Sequence, residues 1–296
     1  MVLMSAQMNG QNVGIGANTF TPDNSALLEL QSTNSGLLLP RMTTAQRDAI
    51  SYPAQSLLIF NTTTKCFETY VGNVWYTVWC ELPCGNTVSY DGVTYNTVQI
   101  GNQCWFKENL RTTKYNDGTS ITNVTDNATW TSTTSGAYCC YSNNTSNCTT
   151  YGALYNWYAV NTGKLCPSGW HVPSDAEWTT LTNYLSANST YWCGSNSSNI
   201  AKSLASTTSW NSSTTTCAVG NNLSANNSTG FSALPGGYRY FSDGSFDNLS
   251  YYGYWWSSTE NAGSNAWRRY LYYYYANVAR SLSDKGNGFS VRCLRD

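Results

Sequence analysis

The chain has 296 residues, 15 Lys+Arg against 16 Asp+Glu, and only 10% charged residues. A chain this close to neutral lacks the electrostatic footprint of a nucleic-acid binder, and none of its apolar runs reaches the roughly 18 residues of a spanning helix, which excludes helical membrane insertion. Its length suits two domains better than one small core. Tyr (23) and Trp (12) are abundant, Asn, Ser and Thr dominate much of the rest, and the helix-favouring Lys, Glu and Gln are scarce, so strands and long ordered loops are expected. Eleven Cys stand beside one His. Cys/His metal sites are therefore nearly excluded. Most cysteines read as disulfides of a secreted or surface-displayed protein, the odd count leaving at least one free or intermolecular; buried reduced cysteine is the alternative.

Residues 1–7 read as the tail of a signal peptide without its positive n-region. Either the start is truncated or the protein leaves the cell another way, for example on a virion. Residues 1–80 form a strand-rich unit. Strands are expected at 12–16, 26–30 and 36–40, and a short helix at 43–50 capped by Thr43 or Thr44. The runs 57–60 and 66–70 flank a hairpin turn, and Gly72 and Asn73 turn the chain again before Val74, Trp75 and Tyr76. So few strands call for partner chains to complete a core. Residues 81–86 are the linker, and 87–296 form the second domain. A hairpin turns at Asp91 and Gly92, 98–106 continues it, and 151–159 has helical spacing. Ser174 with Glu177 makes a capping box for a helix whose apolar stripe is Trp178, Leu181 and Leu185. Residues 187–230 read as long loops with one short helix near 200–204, anchored by Trp192 and Trp210.

His171 lies between Trp170 and that helix cap. It reads as a hydrogen-bonded structural residue, and a Ser-His-Asp or Cys-His device would have no other histidine to use. Asn-x-Ser/Thr sequons such as 123–125 follow from composition alone.

Three groups of segments resemble known families. Gly14-Ile15-Gly16, the run 37–43 (LLLPRMT) and 59–64 (IFNTTT) resemble an N-terminal module of Bacteroidetes surface proteins and their phage fibres, which implies attachment or oligomerisation. The runs 169–178 (GWHVPSDAEW), 256–260 (WSSTE) and 288–293 (GFSVRC), with 88–110, resemble the Fibrobacter succinogenes major paralogous domain, over roughly 86–296. That resemblance implies an α+β fold of the C-type lectin-like, formylglycine-generating-enzyme-like class, with short antiparallel sheets and a few helices. It also implies a disulfide between Cys166 and Cys293, tying the first helix region to the last strand. The oxidase chemistry of that class needs a reactive cysteine pair, and only Cys293 lies beyond Cys217, so no enzyme is expected. The Glu-Pro-Asn, Gln-Pro-Asp and Trp-Asn-Asp triplets of calcium-dependent lectins are missing. No cofactor or metal is expected, although a structural calcium on loop carbonyls and Asp stays open.

The stretch 266–292 resembles the variable region of proteins diversified by a retroelement, within a region of about 260–290. Its fixed posts would be Ala266, Trp267, Arg269, Leu271, Val278, Arg280 and Lys285. The positions between them, Arg268, Tyr270, Tyr272, Tyr274, Tyr275, Ala276, Ala279, Ser281, Leu282, Ser283, Asp284, Gly286 and Asn287, are then the ligand-binding set. Each is reachable from an Asn codon by changing its first two bases. A strand sends alternate side chains to opposite faces, so Arg269, Leu271 and Tyr273 are expected inward and Arg268, Tyr270, Tyr272 and Tyr274 outward. Tyr offers rigid amphipathic contact area at low entropy cost; a Tyr run serving as sheet core or subunit seam is the alternative. The resemblances together imply a homotrimeric receptor-binding protein on a phage tail or a bacterial surface. It would meet a cell-surface protein or glycan. An undiversified surface or carbohydrate-binding protein of the same fold is the alternative.

Overall fold

The structure, a computed structural model, describes residues 13–16, 20–80 and 84–296. The signal-like start at 1–7 and residues 81–83 of the expected linker lie outside the described residues. The chain divides into two compact units, 1–83 and 84–296.

In the first unit, β1 (Val13–Gly16) and β2 (Leu28–Gln31) pair in parallel. A separate sheet orders β3 (Arg41–Met42), β4 (Leu58–Asn61), β5 (Cys66–Val71) and β6 (Val74–Cys80), with α1 (Thr44–Asp48) between β3 and β4. Thr43 caps α1 in a capping box with Gln46. The strand expected at 36–40 does not form. Pro40 has no N–H to give a ladder, and pairing starts only at Arg41, against Phe60. Glu68 is the polar centre of the sheet, 3% exposed. It accepts from Arg47 Nη1 at 2.7 Å, Asn61 Nδ2 at 3.1 Å and Thr64 Oγ1 at 2.9 Å. Burial alone would raise its carboxyl, but these three partners hold it below its ordinary value. Leu27 (82%), Leu37 (66%) and Leu38 (77%) are exposed. Leu37 and Leu38 line an apolar groove of about 160 Å³ with Phe60 and Phe67.

The second unit is β-rich α+β. Its chain runs through β7 (Thr87–Tyr90), β8 (Val93–Ile100), β9 (Gln103–Phe106), β10 (Thr122–Asn123), α2 (Asn127–Ser132), β11 (Ala137–Cys139), α3 (Thr145–Tyr151), β12 (Leu154–Tyr155), α4 (Trp157–Val160), β13 (Trp170–His171), α5 (Asp175–Ala187) and α6 (Ala201–Leu204). Then follow β14 (Gly236–Arg239), β15 (Phe246–Leu249), β16 (Tyr252–Glu260), β17 (Asn265–Tyr272), β18 (Ala279–Asp284) and β19 (Leu294–Arg295). One five-stranded sheet has the order β13-β19-β9-β8-β7, another β15-β14-β16-β17-β18, and a small third sheet β10-β11-β12. Asp91 and Gly92 turn β7 into β8 with φ of 48° and 74°, the left-handed pair that a two-residue hairpin needs. Ser174 and Glu177 form the capping box of α5. The helical spacing of 151–159 yields only the short α4, because Gly152 sits at φ 83° and Leu154 and Tyr155 pair with β11.

The second sheet separates two apolar clusters. On one face Trp255 and Leu271 pack with Trp178, Leu181 and Leu185 of α5. On the other, Tyr254, Trp256 and Ala266 pack with Trp157 and Phe289. Cys166 and Cys293 are bonded, as are Cys84 and Cys104, Cys140 and Cys148, and Cys193 and Cys217. The Cys84 bond ties the last residues of the expected linker to the second unit. Cys139 is free and buried, and burial pushes its thiol up to about 12.

Long irregular segments leave many carbonyls without ladder partners, and buried cations meet them. Arg292 is fully buried. It donates to Asn109 Oδ1 at 2.8 Å, Phe106 O at 3.1 Å, Ser232 O at 3.0 Å and Phe231 O. Arg239, also fully buried, donates to Gly244 O, Val124 O, Thr125 O and Asn127 Oδ1. Lys202 Nζ reaches Asn226 Oδ1 at 2.7 Å, Asn222 O at 3.2 Å and Asn221 O, and so gathers the loop after α6. Replacing Arg292 by Met should strip four acceptors of their donor and lower stability by about 3 kcal/mol, the upper end of the scale for buried polar groups left unsatisfied. Arg292→Lys should recover only part of it, since an ammonium lacks the planar fork. Urea unfolding of the three proteins checks this, and equal midpoints would contradict it.

Candidate ligand-binding face

The antiparallel register of β16, β17 and β18 sets the site. Tyr252 lies opposite Tyr272, Tyr254 opposite Tyr270, and Trp256 opposite Arg268. Across the next pair Tyr270 meets Ala279, Arg268 meets Ser281, and Ala266 meets Ser283. Directly opposed residues share a face, so these side chains form one surface. It is core at the Trp256 and Ala266 end and opens towards Tyr272. The rings pack side by side: Tyr252 stacks on Tyr272 at 4.2 Å and on Tyr254 at 5.1 Å. Tyr238 meets Tyr254 edge-on at 5.4 Å and Tyr240 at 6.1 Å. β17 ends at Tyr272, so Tyr274 sits in the following turn rather than on the strand. Tyr274 (46%) and Tyr275 (48%) are the exposed tip, and Tyr275 meets Tyr272 at 4.9 Å.

The opposite face fastens the hairpin to α5. Leu271 is buried, and Arg269 is 3% exposed. Arg269 Nη1 donates to Asp175 Oδ1 at 2.5 Å, and its Nη2 donates to Asp175 O and Thr179 Oγ1, both at 3.0 Å. Arg280, opposite Arg269, donates to the same carboxylate from Nε at 3.0 Å and from Nη2 at 2.9 Å. Its guanidinium lies 3.4 Å over the Trp267 ring. Asp175 also stands in the first turn of α5, where the helix dipole favours a negative charge. Burial alone would raise its carboxyl, but Arg280 and Arg269 hold it below its ordinary value. At the far end Lys285 bonds Glu260 and Gly263 O, with its ammonium 5.0 Å from the Trp157 ring.

Main-chain bonds hold the tip. Gly220 N–H donates to Tyr273 O at 2.7 Å, Val219 N–H to Tyr275 O at 3.0 Å, and Ala201 N–H to Ala276 O at 2.9 Å. A Cβ at Gly220 would lie 2.2 Å from Asn211 O and 3.0 Å from Tyr273 O, so this approach requires glycine. None of these bonds depends on which side chains the tip carries.

The expected ligand set therefore divides. Tyr270, Tyr272, Ala279, Ser281 and Ser283 lie together on the tyrosine face, with Tyr274, Tyr275 and Ala276 at its tip. Arg268 is on that face but is half-buried beneath the rings of Tyr254 (4.6 Å), Tyr270 (5.3 Å) and Phe289 (5.1 Å), and does not stand out from it. Leu282 and Asp284 fall on the opposite face, because 279–284 is a strand and its pleat alternates. Asn287 is buried; its Nδ2 donates to Ser283 Oγ at 2.9 Å and its Oδ1 accepts from Phe241 N–H at 3.1 Å. Gly286 donates its N–H to Asp284 Oδ1 at 2.8 Å, and its carbonyl accepts from Trp130 Nε1 at 3.0 Å. These two brace the chain after β18. Tyr238, Tyr240, Tyr252 and Tyr254 belong to the face and escaped the sequence reading. The alternations Tyr238-Arg239-Tyr240 and Tyr252-Gly253-Tyr254-Trp255 were the available signal. His171 is clamped, with Nε2 2.9 Å from Glu177 and Nδ1 2.5 Å from Asp296. A cleft of about 300 Å³ lined by Lys107, Glu108, Arg111 and several Thr and Ser hydroxyls shares no residue with the face. No cluster of metal-ligating side chains occurs among the described residues.

Asp175→Asn should loosen the hairpin from α5. The folded pKa of Asp175 is depressed, so its contribution is complete above the unfolded value near 4 and is lost as pH falls through the folded value. Wild type should therefore exceed the variant by a constant margin of about 3 kcal/mol at pH 5–7, and the margin should close below pH 4. Urea midpoints between pH 2 and 7 check this, and a margin independent of pH would contradict it.

Comparison with known families adds two matches. A phage tail like trimerisation region matches residues 14–91. No helix among the described residues is long and apolar enough to cross a membrane. No curated protein and no solved structure matches the chain. The Fibrobacter succinogenes major domain matches residues 98–295, a span that takes in both five-stranded sheets apart from β7 and the start of β8, and the chain belongs to that family.

Proposed function

We propose that this is a receptor-binding protein of a phage tail fibre or a bacterial surface. Its tyrosine face meets the ligand, and a retroelement diversifies its β17–β18 hairpin. The division of labour along 266–287 carries the reading. Each post of the variable-region pattern has a task in the scaffold. Ala266 and Leu271 are core, and Val278 packs against the α5-side cluster. Arg269 and Arg280 lock onto Asp175, Trp267 lies beneath the Arg280 guanidinium, and Lys285 anchors to Glu260. Most of the intervening residues point to the open face or the tip, where their contacts are chiefly with neighbouring tyrosines, while Ser283 also accepts from Asn287 and Arg268 rests against Phe289. A surface free to change must not be needed for folding, and the main-chain bonds of the tip meet that requirement.

The two five-stranded sheets, with the Cys166–Cys293 bond between the segment before β13 and the segment before β19, support a C-type lectin-like scaffold. The exposed leucines of the first unit and its trimerisation-region match support a homotrimer attached through that unit, outside the cell. Recognition is non-covalent. The one free described thiol is held protonated by burial and the one histidine is clamped between carboxylates, so neither favours an oxidase.

Sequencing codons 260–290 across a natural population tests the reading. Substitutions should concentrate at 268, 270, 272, 274, 275, 279, 281 and 283 while Trp267, Arg269, Leu271 and Arg280 stay fixed. An invariant stretch would leave only the undiversified surface or carbohydrate-binding protein. In parallel, Tyr274→Ser and Ser281→Tyr should change stability by no more than about 0.5 kcal/mol, whereas Leu271→Ala should cost about 2–5 kcal/mol.

A further inference from the structure

Arg268 differs from the other buried arginines of the second unit. Arg239 and Arg292 are saturated by carbonyl and amide oxygens, and Arg269 by Asp175 and Thr179. Arg268 makes no ion pair among the described residues, and its buried Nε–H has no hydrogen-bond partner. Tyr254 offers it a hydroxyl, and three rings surround its guanidinium. Strand register places two carboxylates on this face: Glu260, opposite Ala266 and taken up by Lys285, and Asp247, opposite Tyr238 on β15. Asp247 is three strands from Arg268 in the sheet order, or about 14 Å at the usual strand spacing. Arg268 still keeps part of its surface open to solvent.

A half-buried cation without a counter-ion is costly, and a fold that satisfies its other arginines leaves this one at a position on which the fold does not rely. The chemistry around it narrows what would complete it. The stacked tyrosines Tyr252, Tyr254 and Tyr272 cover one another's ring faces and so turn edges outward. Ser281 lies directly opposite Arg268 on β18, and Ser283 follows two residues on. This is one positive charge inside a rim of hydroxyls, not a basic patch, so it suits an isolated anionic group on an otherwise uncharged, hydroxyl-bearing ligand.

We propose that Arg268 is the specificity-determining residue of this face, and that it selects an acidic glycan, pairing its guanidinium with one carboxylate or sulfate substituent while the Tyr and Ser hydroxyls bond the sugar. The proposal rests on the receptor-binding reading of the face. It deepens that reading by assigning the ligand class.

The test titrates the full-length protein with methyl glucuronide, its neutral match methyl glucoside, methyl sulfate, and N-acetylaspartate methylamide as the acidic-peptide match. The readout is the Arg268 Nε–Hε NMR signal, assigned by its loss in Arg268→Met, at constant ionic strength held with chloride. The glucuronide or methyl sulfate should move that signal saturably and the glucoside should leave it in place; which of the two anions acts separates a carboxylated from a sulfated glycan. No saturable shift with either anion would overturn the proposal. An aspartate probe that binds as well as the sugar acid would overturn the glycan assignment. Binding to host cells separates the two levels of inference. Arg268→Met should weaken it at least tenfold, the scale of one charge-assisted contact. If Arg268→Met binds as wild type while Tyr270→Ala and Tyr274→Ala fail, the acidic ligand is refuted and the receptor face stands. If the tyrosine variants also bind as wild type, both fall.

Discussion

The fold of the second unit depends on buried cations that take up loop carbonyls. A helix or a sheet satisfies its own backbone, whereas an irregular segment can be buried only if something donates to it. Arg292 does so for the segments around 106 and 231–232, Arg239 for 124–125 and 244, and Lys202 for 218–226. Lys202 carries the cost visibly, since burial pushes its ammonium below the ordinary lysine value. With these three in place, a unit with few helices and short strands still packs seven tryptophans and tyrosines such as Tyr95 and Tyr155 out of water.

The same device reaches the candidate site. The loop gathered by Lys202 contributes Val219 and Gly220, whose N–H groups hold the carbonyls of Tyr275 and Tyr273. The tip of the hairpin is thus fixed from behind by backbone. Its other face is fixed by a single carboxylate shared between two arginines, one of them stacked on Trp267. What remains, the Tyr270 to Ser281 surface, is braced on three sides, and Ser283 beside it shares in the bracing by accepting from Asn287 Nδ2. On the proposed reading, the anchoring side chains and the recognition side chains of this two-stranded ribbon lie mostly on opposite faces.

Local signals were legible in the sequence, and long-range pairings were not. Ser174 with Glu177 and Asp91 with Gly92 each encode a cap or turn within four residues, and each forms as read; of the two candidate caps Thr43 and Thr44, Thr43 takes the role, with Gln46 completing a box that the sequence reading does not name. The alternation from Arg268 to Tyr272 encodes two faces, because the period of a strand is fixed at two. The same rule, carried on to 279–284, which is a strand, would have separated Leu282 and Asp284 from Ser281. Asn287 was misplaced for a different reason: its role depends on Phe241, and no local pattern reports a partner 46 residues away. The tyrosines of β14 and β16 were missed because membership of the face comes from sheet order. The apolar run at 36–40 looked like a strand, but Pro40 breaks the ladder that hydrophobicity alone would suggest.

Tyrosine suits this arrangement for a reason beyond contact area. A ring that packs edge-out keeps its hydroxyl in water and its body against a neighbour, so it adds to the face without demanding a buried partner for its polar atom. Replacing such a residue by Ser, Ala or Asp removes packing only at the surface end, where the energetic consequence is small. Arginine at 268 is the exception on the face, because its charge is drawn down among the rings, where water solvates it less. A substitution there changes the electrostatics of the floor, whereas substitutions at 272 or 274 change only the outline of the rim. On the proposed reading, position 268 therefore exerts more control over ligand class than any rim position, and the tyrosines around it set how closely the ligand must fit.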